Sequence, residues 1–361
     1  MDETQPKTPA ALGFRMPAEW HSHESTWLTW PKDPDTWPDR VTHVEEIYLQ
    51  MISALIPYEI VDLLVDDEET EQKVRARSGA PARIRFHHIQ TVDSWIRDYG
   101  PNFLIGPKGE AAFNDWIFNA WGNKYEELKR DDGVPRQLES ILEMRRFSPG
   151  IVMEGGSIEV NGAGCVLTTE QCLLNPNRNP QLGRDDVEQY LKDHLGVTKV
   201  LWLGEGIVGD DTDGHIDDIA RFVAPDVIVC ALEDDPEDAN YEILQENLAR
   251  LRSMTDANGR PFEIVTLPMP GIVGGASTST RDLDRLPASY ANFYIANSVV
   301  LLPVFGHAND ARAVEILQNL FRTRRVIPIN CEPLVWGMGT IHCVTQQQPS
   351  IFDPSTDYTD K

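Results

Sequence analysis

Two rhythms of apolar and polar positions alternate along the chain. Short β-rich runs read as strands, and stretches with apolar residues three or four apart read as helices. The pattern is clearest near the end. Asn292–Ala296 and Ser298–Pro303 are strands. Ala308-Asn309-Asp310 then opens a helix with Ala313, Ile316, Leu317 and Leu320 on one face, and Arg325–Ile329 closes the unit. The preceding copy has Ile219–Val223, Val227–Leu232, an acidic helix start at Asp234 to Asp238 leading into Tyr241, Leu244, Leu248 and Leu251, and the strand Glu263–Leu267. Before it come Ser157–Val160, an Asn-Gly-Ala-Gly turn, Cys165–Thr169, the helix Arg184–Leu195 and the strand Lys199–Leu203. Earlier still, Asn102–Ile105 and Glu110–Trp116 form a hairpin, and a helix over Val134–Phe147 follows. The chain opens with Thr26–Trp30, a helix over Val41–Ile56, Glu59–Val65, a charged helix around Glu68–Arg77, and Arg83–His88.

The recurring unit is therefore strand, turn, strand, helix, strand, repeated roughly five times at about 65–75 residues each. A unit of this size cannot cover its own apolar face, so neighbours must cover it, and a ring of five is the natural closure. The Pro/Gly joints Pro268-Met-Pro-Gly271 and Gly274-Gly275 read as loops within one domain spanning 1–361, with loose ends at about 1–13 and 350–361.

Composition narrows the function classes. With 57 acidic against 32 basic residues the net charge is -25, which argues against nucleic acid and favours approach of a cationic small molecule to a cleft. No apolar run approaches the ~20 residues of a membrane span. The N-terminus, Met1 to Pro9, lacks the basic and apolar regions of a secretory signal. Five cysteines without zinc-type spacing fit a reducing, cytoplasmic setting.

Polar clusters interrupt the repeat at its seams. Gly337-Met-Gly-Thr-Ile-His-Cys-Val-Thr-Gln-Gln-Gln-Pro349 sets the thiol of Cys343 behind glycines, with Ile341 and Val344 read as a strand end. A buried structural cysteine is the plain alternative. Trp95-Ile-Arg-Asp-Tyr-Gly-Pro101 places Asp98 where a carboxylate could grip a guanidinium, or where Arg97 and Asp98 form a surface pair. In Met153-Glu-Gly-Gly-Ser157, Glu154 precedes two glycines and could simply mark a turn. Gly209-Asp-Asp-Thr-Asp-Gly-His-Ile-Asp-Asp218 surrounds one histidine with carboxylates. It fails the calcium-loop pattern because Phe222 stands where a glutamate is needed, and it lacks the nitrogen and sulfur donors zinc prefers. A strand from His215 would point His215 and Asp217 into one site, the imidazole serving as general acid and base. His342 is a rival base, on the opposite face of such a strand from Cys343. Cys165, Cys172, Cys230 and Cys331 read as core.

Trp-x-Arg-Asp-x-Gly-Pro, Glu-Gly-Gly-Ser, Asp-Gly-His-x-Asp and Ile-His-Cys-x-Thr-Gln-Gln, in this order, resemble the agmatine deiminase family, grouped with the Porphyromonas-type peptidylarginine deiminases in the guanidine-modifying superfamily. Met16-Pro-Ala-Glu-Trp20, Trp27-Leu-Thr-Trp-Pro31, Phe118-Asn-Ala-Trp-Gly122 and Leu174-Asn-Pro-Asn-Arg-Asn-Pro180 extend the resemblance from about residue 14 to 349. It implies a pseudo-fivefold α/β propeller with five blades of ββαβ units. It implies Cys343 as nucleophile, His215 as acid and base, Asp98 and Asp217 as guanidinium ligands, Glu154 as the orienting group of His215, and Trp95 packed on the substrate. The implied reaction is hydrolysis of agmatine to N-carbamoylputrescine and ammonia through a covalent thiouronium, with no metal or organic cofactor. The implied assembly is a homodimer. For the distal amine of agmatine, Asp210, Asp211 and Asp213 are candidates by position in the chain. Tyr99 and the pair Met338 and Thr340 depart from the family pattern, which has Thr and a glycine run there. Arginine or peptidylarginine is the alternative substrate, and a non-catalytic propeller that only binds is the alternative class.

Overall fold

The computed structural model describes residues 7–79, 81–274 and 285–351. Its strands fall into five separate sheets. Three-stranded sheets are built from β4 (Asn102–Ile105), β5 (Ala111–Asn114) and β6 (Arg145–Phe147); from β7 (Glu159–Val160), β8 (Cys165–Thr169) and β9 (Lys199–Leu203); from β10 (Ala220–Ala224), β11 (Val227–Leu232) and β12 (Glu263–Pro268); and from β13 (Tyr294–Ile295), β14 (Val299–Val304) and β15 (Arg325–Asn330). In each, the first two strands pair antiparallel and the third joins parallel after a crossover helix. The parallel step needs that crossover, because a short turn cannot return the chain to the same end of the sheet.

The remaining sheet draws on both ends of the chain. β1 (His23–Thr29) pairs parallel with β2 (Ile60–Val65), and β2 with β3 (Ile84–His88). β16 (Gln346–Pro349) comes from the C-terminal end and pairs antiparallel with β1, Thr26 opposite Gln347. The fifth ββαβ unit is thus split between the termini, and the pairing that completes it closes a five-bladed α/β propeller. Closure removes an exposed strand edge that would otherwise invite misassembly.

The crossover helices Val41–Leu55, Arg184–Leu195, Tyr241–Ser253 and Asp310–Leu320 fall where the 3.6-residue rhythm places them. The second blade differs from the expectation of one helix over Val134–Phe147. The helix stops at Leu142, Glu143 turns left-handed at φ 50°, and 145–147 become the closing strand β6. The N-terminal segment is also less loose than expected. Ala10–Leu12 form a 3-10 turn, Pro9 is buried, and Phe14 packs edge-on against Phe147. Residue 275 and the tail from 352 lie outside the described residues. Among those described, no helix is long and apolar enough to cross a membrane.

Candidate active site

The thiol stands on a tight turn, not on a strand. Residues 341–344 form the turn and β16 begins only at Gln346, so alternation of faces does not govern His342 and Cys343. Gly339 makes the approach possible. A Cβ there would lie 2.7 Å from the Trp95 ring and 3.1 Å from Cys343 Sγ, closer than packing allows. Met338 beside it holds φ 74°, a region a glycine would occupy at less cost.

Asp98 lies on the one-turn helix Ile96–Tyr99 that enters the second blade. Its carboxylate accepts hydrogen bonds from Trp121 Nε1 and Gly156 N, each at 2.9 Å. Arg97 does not pair with it on the surface. The guanidinium is buried on the other side, donating to Gln347 Oε1 at 2.7 Å and lying 3.5 Å from Glu19. His215 and Asp217 come together through a 3-10 turn, Ile216–Asp218, and the strand expected from His215 starts only at Ala220. Glu154 reaches the same place from the seam before β7, and Arg178 Nε fixes one of its oxygens at 2.8 Å.

One point shows the convergence. A Cβ built on Gly156 would meet His215 Nδ1 at 2.6 Å, Asp98 Oδ1 at 2.9 Å and Asp217 Oδ2 at 3.0 Å. Only hydrogen at that position leaves room for these three side chains, which come from two different seams. Asp217 Oδ2 is 3.8 Å from Cys343 Sγ, and His215 lies 3.8 Å from Asp98 and 4.0 Å from Glu154. Cys343, Asp98 and Trp95 line a cavity of about 630 Å³. His215, Asp217 and Glu154 lie behind that wall, each exposed by 1% or less. Exposed Asp35, Glu127 and Arg130 mark the cavity's mouth.

Burial and charge set the protonation states. Burial pushes the Cys343 thiol well up, and Asp217, Asp218 and Asp98 push it further. Burial also raises Asp98 to about 6, against the pull of His215. For His215 burial works to lower the pKa, but Asp98, the Cys172 sulfur and Asp217 together carry it well above its ordinary value. Asp217 is likewise opposed by burial, yet the hydrogen bond and charge of His342 hold it low.

Asp210 is not available to a ligand. Its two oxygens accept from Thr212 N, Thr212 Oγ1, Gly214 N and His215 N, so it shapes the loop that carries His215. Asp213 pairs with Arg178 and Lys124. Of the three acids expected at the distal amine, Asp211 lines the cavity, hydrogen-bonded to Tyr125. Tyr99 faces away, its hydroxyl 2.7 Å from Thr29 Oγ1. Cys172 is core, as expected, but it abuts the site. Glu154, Cys172 and His215 have donor atoms within 4.8 Å of one another, a set that could hold a soft cation, with Arg178 on Glu154 Oε1 and, among the described residues, no hydrogen-bond partner on Oε2.

The pattern of residues concealed four neighbours. Trp121 sits on Asp98 with its backbone at φ 51°. Glu19 accepts from His342 Nε2 at 2.7 Å, while His342 Nδ1 lies 2.7 Å from Asp217 Oδ2. Arg221, fully buried, bridges Glu19 and Glu159, each at 2.9 Å. Asn292 Nδ2 lies 3.2 Å from Cys343 Sγ. Trp121 and Glu19 belong to motifs visible in the sequence, but nothing there tells which polar atom they meet.

A five-bladed α/β propeller whose seam gathers one thiol, an imidazole and paired carboxylates defines a protein of the guanidine-modifying class. The match is specific: residues 15–349 fit the Porphyromonas-type peptidyl-arginine deiminase family, and the chain belongs to it. It is 39% identical over 360 residues to an agmatine deiminase of Ectopseudomonas mendocina, covering 95% of this chain and 97% of that one. Agmatine deiminase of Stutzerimonas stutzeri is 38% identical, over 97% and 99% of the two chains. The solved structure of Enterococcus faecalis agmatine deiminase catalysing its reaction superposes with a TM-score of 0.90 at 36% identity, covering 98% and 100%.

Proposed function

We propose that this protein is an agmatine deiminase, releasing ammonia from the guanidinium of agmatine and leaving N-carbamoylputrescine. The observation that carries this reading is the convergence of His215, Asp98 and Asp217 over Gly156, with Asp217 3.8 Å from the sulfur. The relatives named for agmatine supply the substrate. A cavity with seven carboxylate residues against Lys32 and Arg130 fits a ligand with a cation at each end.

The substrate guanidinium is resonance-stabilised and a poor electrophile. Asp98 and Asp217 grip its nitrogens and hold its carbon against Sγ, so orientation supplies much of the rate. The cation also favours thiolate in a site where burial and acids hold the thiol neutral, so substrate entry releases the thiol proton to solvent through the cavity. Attack by Cys343 gives a neutral tetrahedral adduct. His215, protonated in the resting site, donates to the departing nitrogen; ammonia leaves and a cationic S-alkylthiouronium remains. Neutral His215 then takes a proton from water as it attacks the same carbon. The C–S bond breaks, the hydroxyl proton passes to the departing sulfur, and the neutral ureido product leaves with the Cys343 thiol and protonated His215 restored. Glu154, anchored by Arg178, orients His215. Trp95 forms the wall beside the carbon chain.

The test is ammonia release from agmatine, arginine and an arginyl peptide, compared side by side. The expected result is turnover of agmatine foremost, with Cys343→Ala and His215→Ala reducing it by at least about 10³-fold. Equal or faster release from the peptide would instead assign the activity to peptidylarginine.

A further inference from the structure

Three buried side chains behind the cavity wall turn donor atoms toward one another. His215 Nε2 and Glu154 Oε2 lie 4.0 Å apart, and neither has a hydrogen-bond partner among the described residues. A hydrogen bond would need about 3 Å. Cys172 completes the group, with all three donor atoms within 4.8 Å of one another. Each of the three residues is exposed by 1% or less. Buried polar atoms are normally paired, so two unpaired ones facing a single sulfur point to a ligand.

The mountings are firm. Cys172 sits on the one-turn helix Glu170–Leu173, its N–H donating to Thr169 Oγ1 at 3.2 Å. Arg178 holds the other oxygen of Glu154 at 2.8 Å and so turns Oε2 toward His215 and Cys172. A sulfur, an imidazole nitrogen and a carboxylate oxygen together suit a borderline-soft divalent ion. Hard ions such as Mg2+ prefer a shell of oxygens. Nitrogen and oxygen ligands at about 2.0–2.1 Å from a tetrahedral zinc lie about 3.3 Å apart. Bringing the 4.0 Å pair to that spacing takes a shift of less than about 1 Å. A coordinated imidazole is commonly backed by a carboxylate at its other nitrogen. Asp98 Oδ1 stands on that side, 3.8 Å from His215 Nδ1.

We propose that Glu154, Cys172 and His215 form an inhibitory site for a borderline-soft divalent cation such as Zn2+. Two protons leave as the ion binds, one from the Cys172 thiol and one from His215 Nε2; the sulfur and the nitrogen take the metal in their place. His215 is then fixed as a neutral, metal-bound ring and no longer cycles between acid and base. The inhibition rests on His215 being the acid and base of the assigned reaction. The binding does not.

Cobalt(II) is the probe, because a cobalt–thiolate bond gives a charge-transfer band in the near ultraviolet. The titration uses the full chain carrying Cys343→Ala, which removes the competing thiol at the cavity. The band should appear and saturate at one cobalt per chain, and Zn2+ should abolish it. Loss of a residue that only supports a ligand costs about 10–100-fold in metal affinity, so loss of a ligand should cost at least about 100-fold. Adding Cys172→Ser should therefore remove the band and weaken binding by at least that factor. Cys172→Ala serves if the serine variant does not fold. In the chain with Cys343 intact, Zn2+ should suppress ammonia release from agmatine, EDTA should restore it, and Mg2+ should have no effect. Cys172→Ser should need at least about 100-fold more Zn2+ for the same fractional loss. No band in the Cys343→Ala chain, or a band that survives loss of Cys172, would overturn the site and leave these atoms to a bridging water. Turnover that ignores Zn2+, or falls to it equally in Cys172→Ser, would overturn the inhibition. A Cys172-dependent band in a protein that hydrolyses no guanidine would uphold the site and sink the assigned reaction.

Discussion

Single atoms decide the chemistry at this site. His342 looked like a rival base because it adjoins the thiol. Both its ring nitrogens lie 2.7 Å from carboxylate oxygens, one on Asp217 and one on Glu19. With a carboxylate oxygen on each ring nitrogen, neither is open to take a proton from water. This supports His215 as the proposed acid and base, and Asp217 is held as an anion. Asp98 is the group whose charge is within reach of ordinary pH, since burial lifts it to about 6. Below that value the protonated carboxyl cannot grip a guanidinium; above it the anion can. On these grounds kcat/KM for agmatine should fall about tenfold per pH unit on the acid side, with a midpoint near 6. A pH–rate profile from 4.5 to 8 checks it, and an acid limb unchanged in Asp98→Asn would assign the titration elsewhere.

Elements matter here by where they end. The edge strands β4, β7, β10, β13 and β16 are only two to five residues long, and loops, turns and one-turn helices occupy the seams. β16 does more than complete a sheet. Gln348 Oε1 accepts from Trp27 Nε1 at 2.9 Å, and Gln347 Oε1 accepts from Nη1 of buried Arg97. A chain ending at Thr345 would keep every proposed catalytic side chain but expose the edge of β1 and strand Arg97 in the interior. Loss of a cooperative thermal transition and of agmatine turnover is expected for that truncation, whereas ending the chain at Ile351 should preserve both. Circular dichroism melts of the two would show whether closure is as important as the topology implies.

At the scale of the whole molecule, charge and shape work together. The protein carries -25, and the cavity concentrates acids toward a buried thiol. A field of this kind draws in cations and is screened by salt, the Debye length shrinking from about 30 Å at 0.01 M to about 8 Å at 0.15 M. KM for dicationic agmatine should rise several-fold over that range while kcat holds nearly constant, because the buried contacts are screened far less. Initial-rate kinetics in sodium chloride would measure this, and a flat KM would mean that only contacts inside the cavity attract the substrate.

Periodicity alone located all five crossover helices, one of them run too far at its end, and most of the strands, since a repeated apolar rhythm is written locally. It misread β6 as helix, because Leu138 to Phe147 has no glycine or proline to announce the left-handed Glu143. The residues proposed to carry the chemistry, Cys343, His215, Asp98, Asp217 and Glu154, each stand in a motif with glycines beside it, which is what draws attention to them in the sequence. Asp210 was misplaced because nearness in sequence says nothing about which way a carboxylate turns, and here four backbone and side-chain donors had already claimed it. What only the tertiary structure decided is which polar atoms meet: Asn292 on the sulfur, Trp121 on Asp98, Glu19 behind His342. These partners are 23 to 323 residues apart in the chain. Local sequence sets backbone conformation, whereas contacts between seams depend on how five blades close around one axis, and that is a property of the ring as a whole.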